Sequence, residues 1–96
     1  MQEEFDENVK IALILRTIRG MLGMSQTKFA EFIGQPKSTI ARAESLILPL
    51  KVDLYFKILK SMKDQGIEID AFADEPTFKL SKGFMLVEEK KLKNGQ

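Results

Sequence analysis

The sequence predicts a mainly α-helical protein: a domain of four to five helices carrying a short C-terminal β-strand or hairpin extension. Three observations carry that expectation. Apolar residues between positions 11 and 65 recur at helical spacing. Glycines at 23, 34 and 66 interrupt the pattern where helices of ordinary length should stop. After Gly66 the period changes to the alternation of a strand, Ile67-Glu68-Ile69-Asp70-Ala71. A chain of 96 residues is expected to build one core, not two.

Ile11, Leu15, Ile18 and Leu22 mark one stripe of a first amphipathic helix, with Arg16 and Arg19 on neighbouring faces. Ser25 offers a hydroxyl cap to a second helix, about Gln26 to Ile33, which buries Phe29, Ala30 and Ile33 and ends at Gly34. Pro36 suits the first turn of a third helix, since it has no N–H to leave unpaired. That helix runs to about Ser45 and buries Ile40 and Ala43. A fourth fits Leu50 to Gln65, with Val52, Tyr55, Phe56, Leu59 and Met62 inward and Lys51, Lys57, Lys60 and Lys63 outward. Ala73 to Pro76 reads as a loop, and Phe78-Lys79-Leu80 and Phe84-Met85-Leu86-Val87 as short strands. The charged stretch from Glu88 onward is expected to fray. The expected organisation is an acidic arm at 1–7, a helical domain at 8–66, a β extension at 67–89 and a frayed tail at 90–96.

Cysteine and histidine are both absent. Disulfides, the usual zinc sites and histidine-activated nucleophiles are thereby excluded, and the scattered acids form no recognisable dyad. No catalytic residue, metal or cofactor is expected, and the protein does not read as an enzyme. No apolar run approaches the roughly 20 residues of a membrane span. The acidic N-terminus lacks the apolar core of a secretory signal, so a cytoplasmic location follows.

The net charge of +1 conceals a division along the chain. Residues 1–7 sum to −4, residues 8–63 to +7 and residues 64–96 to −2. A basic block between acidic flanks suits a polyanion-binding domain whose ends stay clear of the polyanion.

The most specific pattern is Arg16-x-x-Arg19-x-x-x-Gly23-Met24-Ser25-Gln26-x-x-Phe29-Ala30-x-x-Ile33-Gly34-x-x-x-Ser38-Thr39-Ile40-x-x-x-Glu44. Over about residues 9–65 it resembles the lambda-repressor-like helix-turn-helix family, which includes phage repressors, Cro and many small bacterial and plasmid regulators. The elements have physical reasons as well. Ala30 is small where the second and third helices must approach, Gly34 permits a sharp turn, and Ile33 and Ile40 fill the wedge between the helices.

The resemblance implies a sequence-specific DNA-binding regulator, most simply a repressor that binds a palindromic operator in double-stranded DNA as a homodimer. The positions matching the family's base readers are Lys37, Ser38 and Arg42. Gln26, Lys28 and Thr39 match or neighbour positions that hold phosphates. Arg19 and Glu44 match a pair that ties the first helix to the third. The chain departs from the family pattern at Gln35, at Pro36 and in the uncharged loop Leu46-Ile47-Leu48-Pro49-Leu50, which is not expected to touch DNA. A C-terminal strand with apolar residues on both faces needs cover, so Ile67, Ile69, Phe84, Leu86 and Val87 are expected at the dimer contact. The alternative is an antitoxin or other protein-binding partner on the same scaffold. No small-molecule ligand is expected, and the site of action is the nucleoid of a bacterial or phage-infected cell.

Overall fold

The computed structural model describes residues 6–95, so of the acidic arm only Asp6 and Glu7 are included. Among the described residues there are five helices and two strands: α1 (Glu7–Leu22), α2 (Gln26–Ile33), α3 (Lys37–Glu44), α4 (Val52–Gln65), β1 (Ile67–Ile69), β2 (Phe78–Leu80) and α5 (Lys82–Asn94). The protein is thus mainly helical with one small antiparallel sheet. No helix is long and apolar enough to cross a membrane among the described residues. The chain divides into two compact units, residues 1–51 and 52–96, where the sequence led us to expect one core.

In the first unit α1 and α2 both pack on α3. Asp6 caps α1 by accepting from the Asn8 N–H at 2.9 Å, and Ser25 caps α2 by accepting from the Lys28 N–H at 3.1 Å. Leu15, Ile18, Phe29 and Ile40 are fully enclosed, and Ala30, Ile33 and Ala43 close the space between the helices. Ile11 is only half-buried, because the inward stripe of α1 shifts to include Ala12 and Ile14. Gly34 adopts φ +71, which lets the Gln35 N–H reach back to the Ala30 carbonyl at 2.8 Å and turns the chain into α3. Pro36 is the residue before α3, not its first turn: at ψ 145 it is still extended, and its carbonyl accepts from the Thr39 N–H at 3.1 Å.

In the second unit α4 packs on β1, which pairs with β2 in the register Ile67↔Leu80 and Ile69↔Phe78. The inward face of α4 is Tyr55, Ile58 and Met62. Val52 and Phe56, expected inside, are exposed, and Ile58 takes the space they were assigned. Phe56 instead meets Phe72 of the loop between the strands, with ring centroids 5.7 Å apart. The alternating segment after Gly66 pairs over Ile67–Ile69 only.

The stretch Phe84–Val87, expected as a strand, and the tail expected to fray belong to α5 as far as Asn94, and residue 96 lies outside the described residues. Ser81 starts this helix by accepting from the Phe84 N–H at 3.0 Å. Ion pairs Glu88–Lys91 at 3.0 Å and Glu89–Lys93 at 2.6 Å line its exposed later turns. Two residues expected at a dimer contact are consumed by their own chain, since Ile67 is fully buried and Phe84 nearly so. Ile69 is half-buried, whereas Leu86 and Val87 are about half exposed.

Gly66 joins α4 to the sheet at φ +97, and its carbonyl accepts from the Ser81 N–H at 2.8 Å. A Cβ at this position would overlap Ser81 Oγ and crowd Phe84 Cβ. Gly20 is helical and exposed, with open space where a Cβ would go. Gly66→Ala should therefore destabilise the protein by more than about 1 kcal/mol, while Gly20→Ala stabilises it by about 0.5–1 kcal/mol. Urea denaturation of the two variants checks both signs. A neutral Gly66→Ala would contradict the close approach of Ser81.

Candidate functional site

α3 has two unlike sides. Its inner residues Ile40, Ala43 and Glu44 are buried against α1 and α2. Lys37, Ser38 and Arg42 are exposed, with Ser38 and Arg42 one helical turn apart. Lys28 is exposed on α2, and Thr39 and Gln26 are half-buried. Among the described residues no carboxylate forms an ion pair with Lys28, Lys37 or Arg42. Three cations on α2 and α3 thus remain available to an outside anion.

Glu44 lies on the opposite side of α3, its side chain 1% exposed. Arg19 meets it with a two-pronged contact, Nε to Oε2 and Nη2 to Oε1, both 2.7 Å. Gln26 Nε2 donates to the same Oε1 at 3.2 Å. The Glu44 backbone carbonyl, at the negative end of α3, accepts from Arg16 Nη2 at 2.8 Å. Arg19 also donates through Nη1 to the Met24 carbonyl at 3.1 Å, in the turn between α1 and α2. One carboxylate therefore gathers α1, the start of α2 and the end of α3.

Burial pushes the Glu44 carboxyl up, but the hydrogen bonds from Arg19 and Gln26 and the charges of Arg19 and Arg16 outweigh it. The group is held below its ordinary value. The hydrogen bond to Glu44 raises the Arg19 guanidinium in turn, against a smaller opposing effect of burial.

The structure brings Arg19 and Glu44 together and keeps Lys37, Ser38 and Arg42 on the exposed side of one helix. It draws Gln26 partly away from the role assigned to it, because its amide nitrogen is engaged by Glu44. Arg16 is a member of the cluster that the sequence reading did not include. Its signal was its position one turn before Arg19 on the same helix. No protein-family model matches the chain, and no curated protein or solved structure matches it either.

Removing Arg19 would strand a buried carboxylate, so Arg19→Ala should cost about 3 kcal/mol. That is the low end for a buried pair, because the Arg19 side chain is 22% exposed. The pH dependence has a definite sign. The lowered pKa of Glu44 stabilises the fold at pH values above its ordinary 4.5, and that contribution is lost as pH falls through the folded value. In thermal melts the gap between the unaltered protein and Glu44→Gln should be constant from pH 7 to about 5 and narrow below it. A gap that widens on acidification would refute this account of the cluster.

Proposed function

We propose that this protein is a sequence-specific DNA-binding transcriptional regulator, and that α2, the Gly34 turn and α3 work as a helix-turn-helix. One observation carries the reading: α3 is fixed by its inner face while Lys37, Ser38 and Arg42 stand exposed, the two cations without an anionic partner among the described residues. An α-helix fits the major groove of about 12 Å. Lys37 and Arg42 supply the donors that suit guanine O6 and N7, and Ser38 can face either base type. Lys28, Thr39 and the N-terminal turn of α2 serve phosphates. Gln26 contributes through its backbone and whatever donor capacity Glu44 leaves it. Arg16, Arg19 and Glu44 contact no DNA in this scheme and hold α3 at its angle.

A single short helix reads few base pairs, so the working form is a homodimer on a palindromic operator, with half-sites about 10 base pairs apart. The simplest biological role is a repressor of phage or plasmid type, acting in the cytoplasm at the nucleoid and responding to its own concentration, with no ligand, cofactor or catalytic step. One observation favours a second reading, a protein-binding partner such as an antitoxin. The second unit exposes Val52, Phe56, Phe72, Met85, Leu86 and Leu92. The two readings separate by whether another protein, expressed with this one, binds the second unit in fixed proportion.

Footprinting on the DNA upstream of the protein's own gene is the direct test. Operator affinity should fall with salt at a log–log slope of about −0.9 per phosphate neutralised. Arg42→Ala or Lys37→Ala should cost about 1–3 kcal/mol on the operator and far less on random DNA, with the fold intact. A flat salt response would remove nucleic acid as the partner. Equal losses on both DNAs would move Arg42 from the bases to the phosphates.

A further inference from the structure

The loop between β1 and β2 holds an aromatic side chain out into solvent on a braced support. Its neck is closed by the Asp70 N–H, which donates to the Thr77 carbonyl at 3.0 Å. Ala71, 3% exposed, anchors the loop. The next residue, Phe72, is 73% exposed, more than any other large apolar side chain among the described residues. Its ring leans on that of Phe56 in α4, with centroids 5.7 Å apart and planes at 41°, and Phe56 is itself about half exposed. Val52, one turn before Phe56, continues the apolar surface. An aromatic side chain held in one place yet left in water is pre-organised for a contact outside the chain.

The charge around this patch is one-sided. Residues 64–78 hold five acids and no base, and all five acids are exposed. Asp70, Asp74 and Glu75 lie within three residues of Phe72, and none of them forms an ion pair among the described residues. Lys60, one turn after Phe56, marks the α4 side, so the negative side of the patch is the loop.

We infer that Val52, Phe56 and Phe72 form a docking surface for a segment of another protein in which Lys or Arg residues flank one or two large apolar side chains. The apolar side chains of that segment cover Val52 and Phe56. Its cations lie over the loop, where the spacing Asp70-x-Phe72-x-Asp74 offers an aromatic face with carboxylates to either side along the chain. Arg suits the place best, because its planar group stacks on a ring and pairs with a carboxylate.

Charge selects this occupant over the others. A nucleic-acid backbone and an anionic membrane surface are both repelled by the unpaired carboxylates. A second copy brought up about a two-fold axis sets the same acids against each other. The apolar area, on the order of a few hundred Å², is that of a functional patch and suits a short segment, not a folded partner needing about 800 Å². This site rests on the protein-binding reading of the second unit, to which it adds a place and a chemistry, and it is independent of any role of α3.

A random peptide library displayed on phage is panned on the full-length protein. The enriched sequences are synthesised and titrated against the protein and its variants, each checked for helicity by circular dichroism. Enriched peptides should combine Lys or Arg with large apolar residues. Their affinity should fall at least about tenfold on Phe72→Ala, the loss expected of an aromatic anchor. Asp70→Asn, Asp74→Asn and Glu75→Gln together should cost at least about threefold and remove most of the salt dependence. Leu86→Ala, on α5, should leave affinity unchanged. Failure to enrich any peptide, enrichment of peptides without cations, or indifference to Phe72→Ala or to the neutralised loop overturns the proposal. Loss of binding on Leu86→Ala instead keeps the second unit as a protein-binding surface but overturns this site. Self-association in sedimentation that Phe72→Ala abolishes overturns it in favour of a second copy. No DNA is present, so these outcomes stand apart from the operator experiments.

Discussion

The carboxylate of Glu44 sits where α1, the beginning of α2 and the end of α3 converge, and the pose of α3 depends on it. A buried charge of this kind stays ionised only if its oxygens are matched. Here Arg19 supplies a planar fork and Gln26 a third donor. The neighbouring Arg16 caps the carbonyl end of α3 in the same place. Apolar packing alone would let an eight-residue helix roll or slide over α1 and α2, since hydrophobic contact is non-directional. A two-pronged contact between guanidinium and carboxylate fixes rotation and translation together.

That arrangement divides the charges of the first unit into two populations. Arg16, itself exposed, and the partly buried Arg19 are both engaged at the end of one helix. Lys28, Lys37 and Arg42 stay outside, solvated and unpaired among the described residues. The division matters because a cation already bound to a carboxylate must lose that partner before it can serve a phosphate or a base. Keeping Glu44 on the inner face prevents it from neutralising Arg42, which lies only two residues away on the same helix. Glu31 is exposed on α2 and engages none of the three outer cations.

The first unit was largely legible in the sequence, and the second was not. In α1 to α3, helical spacing, caps and glycine stops all agree: Ser25, Gly34, Phe29, Ala30, Ile33 and Ile40 play the parts their positions imply. The family pattern located Arg19 and Glu44, whose contact spans 25 residues and is invisible to local rules. Arg16 escaped because a charged residue beside a stripe reads as solvated. In α4 the apolar positions 52, 54, 55, 56, 58, 59 and 62 cover too wide an arc for spacing to select one face. Tertiary packing against β1 chose Ile58 and left Phe56 outside. Phe84 to Val87 is a short apolar run, a pattern that strand and helix share. What decides it is Ser81 as a cap and the charged ladder from Glu88 to Lys93, whose three- and four-residue spacing only a helix brings together.

The two units also differ in how completely they bury what they carry. The second unit encloses Tyr55, Ile58, Met62, Ile67, Ala71 and Phe84 while its exposed set includes Phe56, Phe72, Met85, Leu86 and Leu92. A two-stranded sheet of three-residue strands gives such a core little independent stability, so its integrity leans on local devices such as the Gly66 turn and the Ser81 cap. In the first unit α3 is held by a different device. Among the described residues, the side-chain hydrogen bonds to Glu44 come from Arg16, Arg19 and Gln26, within the first 51 residues. The exposed apolar surface of the second unit takes no part in the hydrogen bonds that the described residues make to the Glu44 carboxylate.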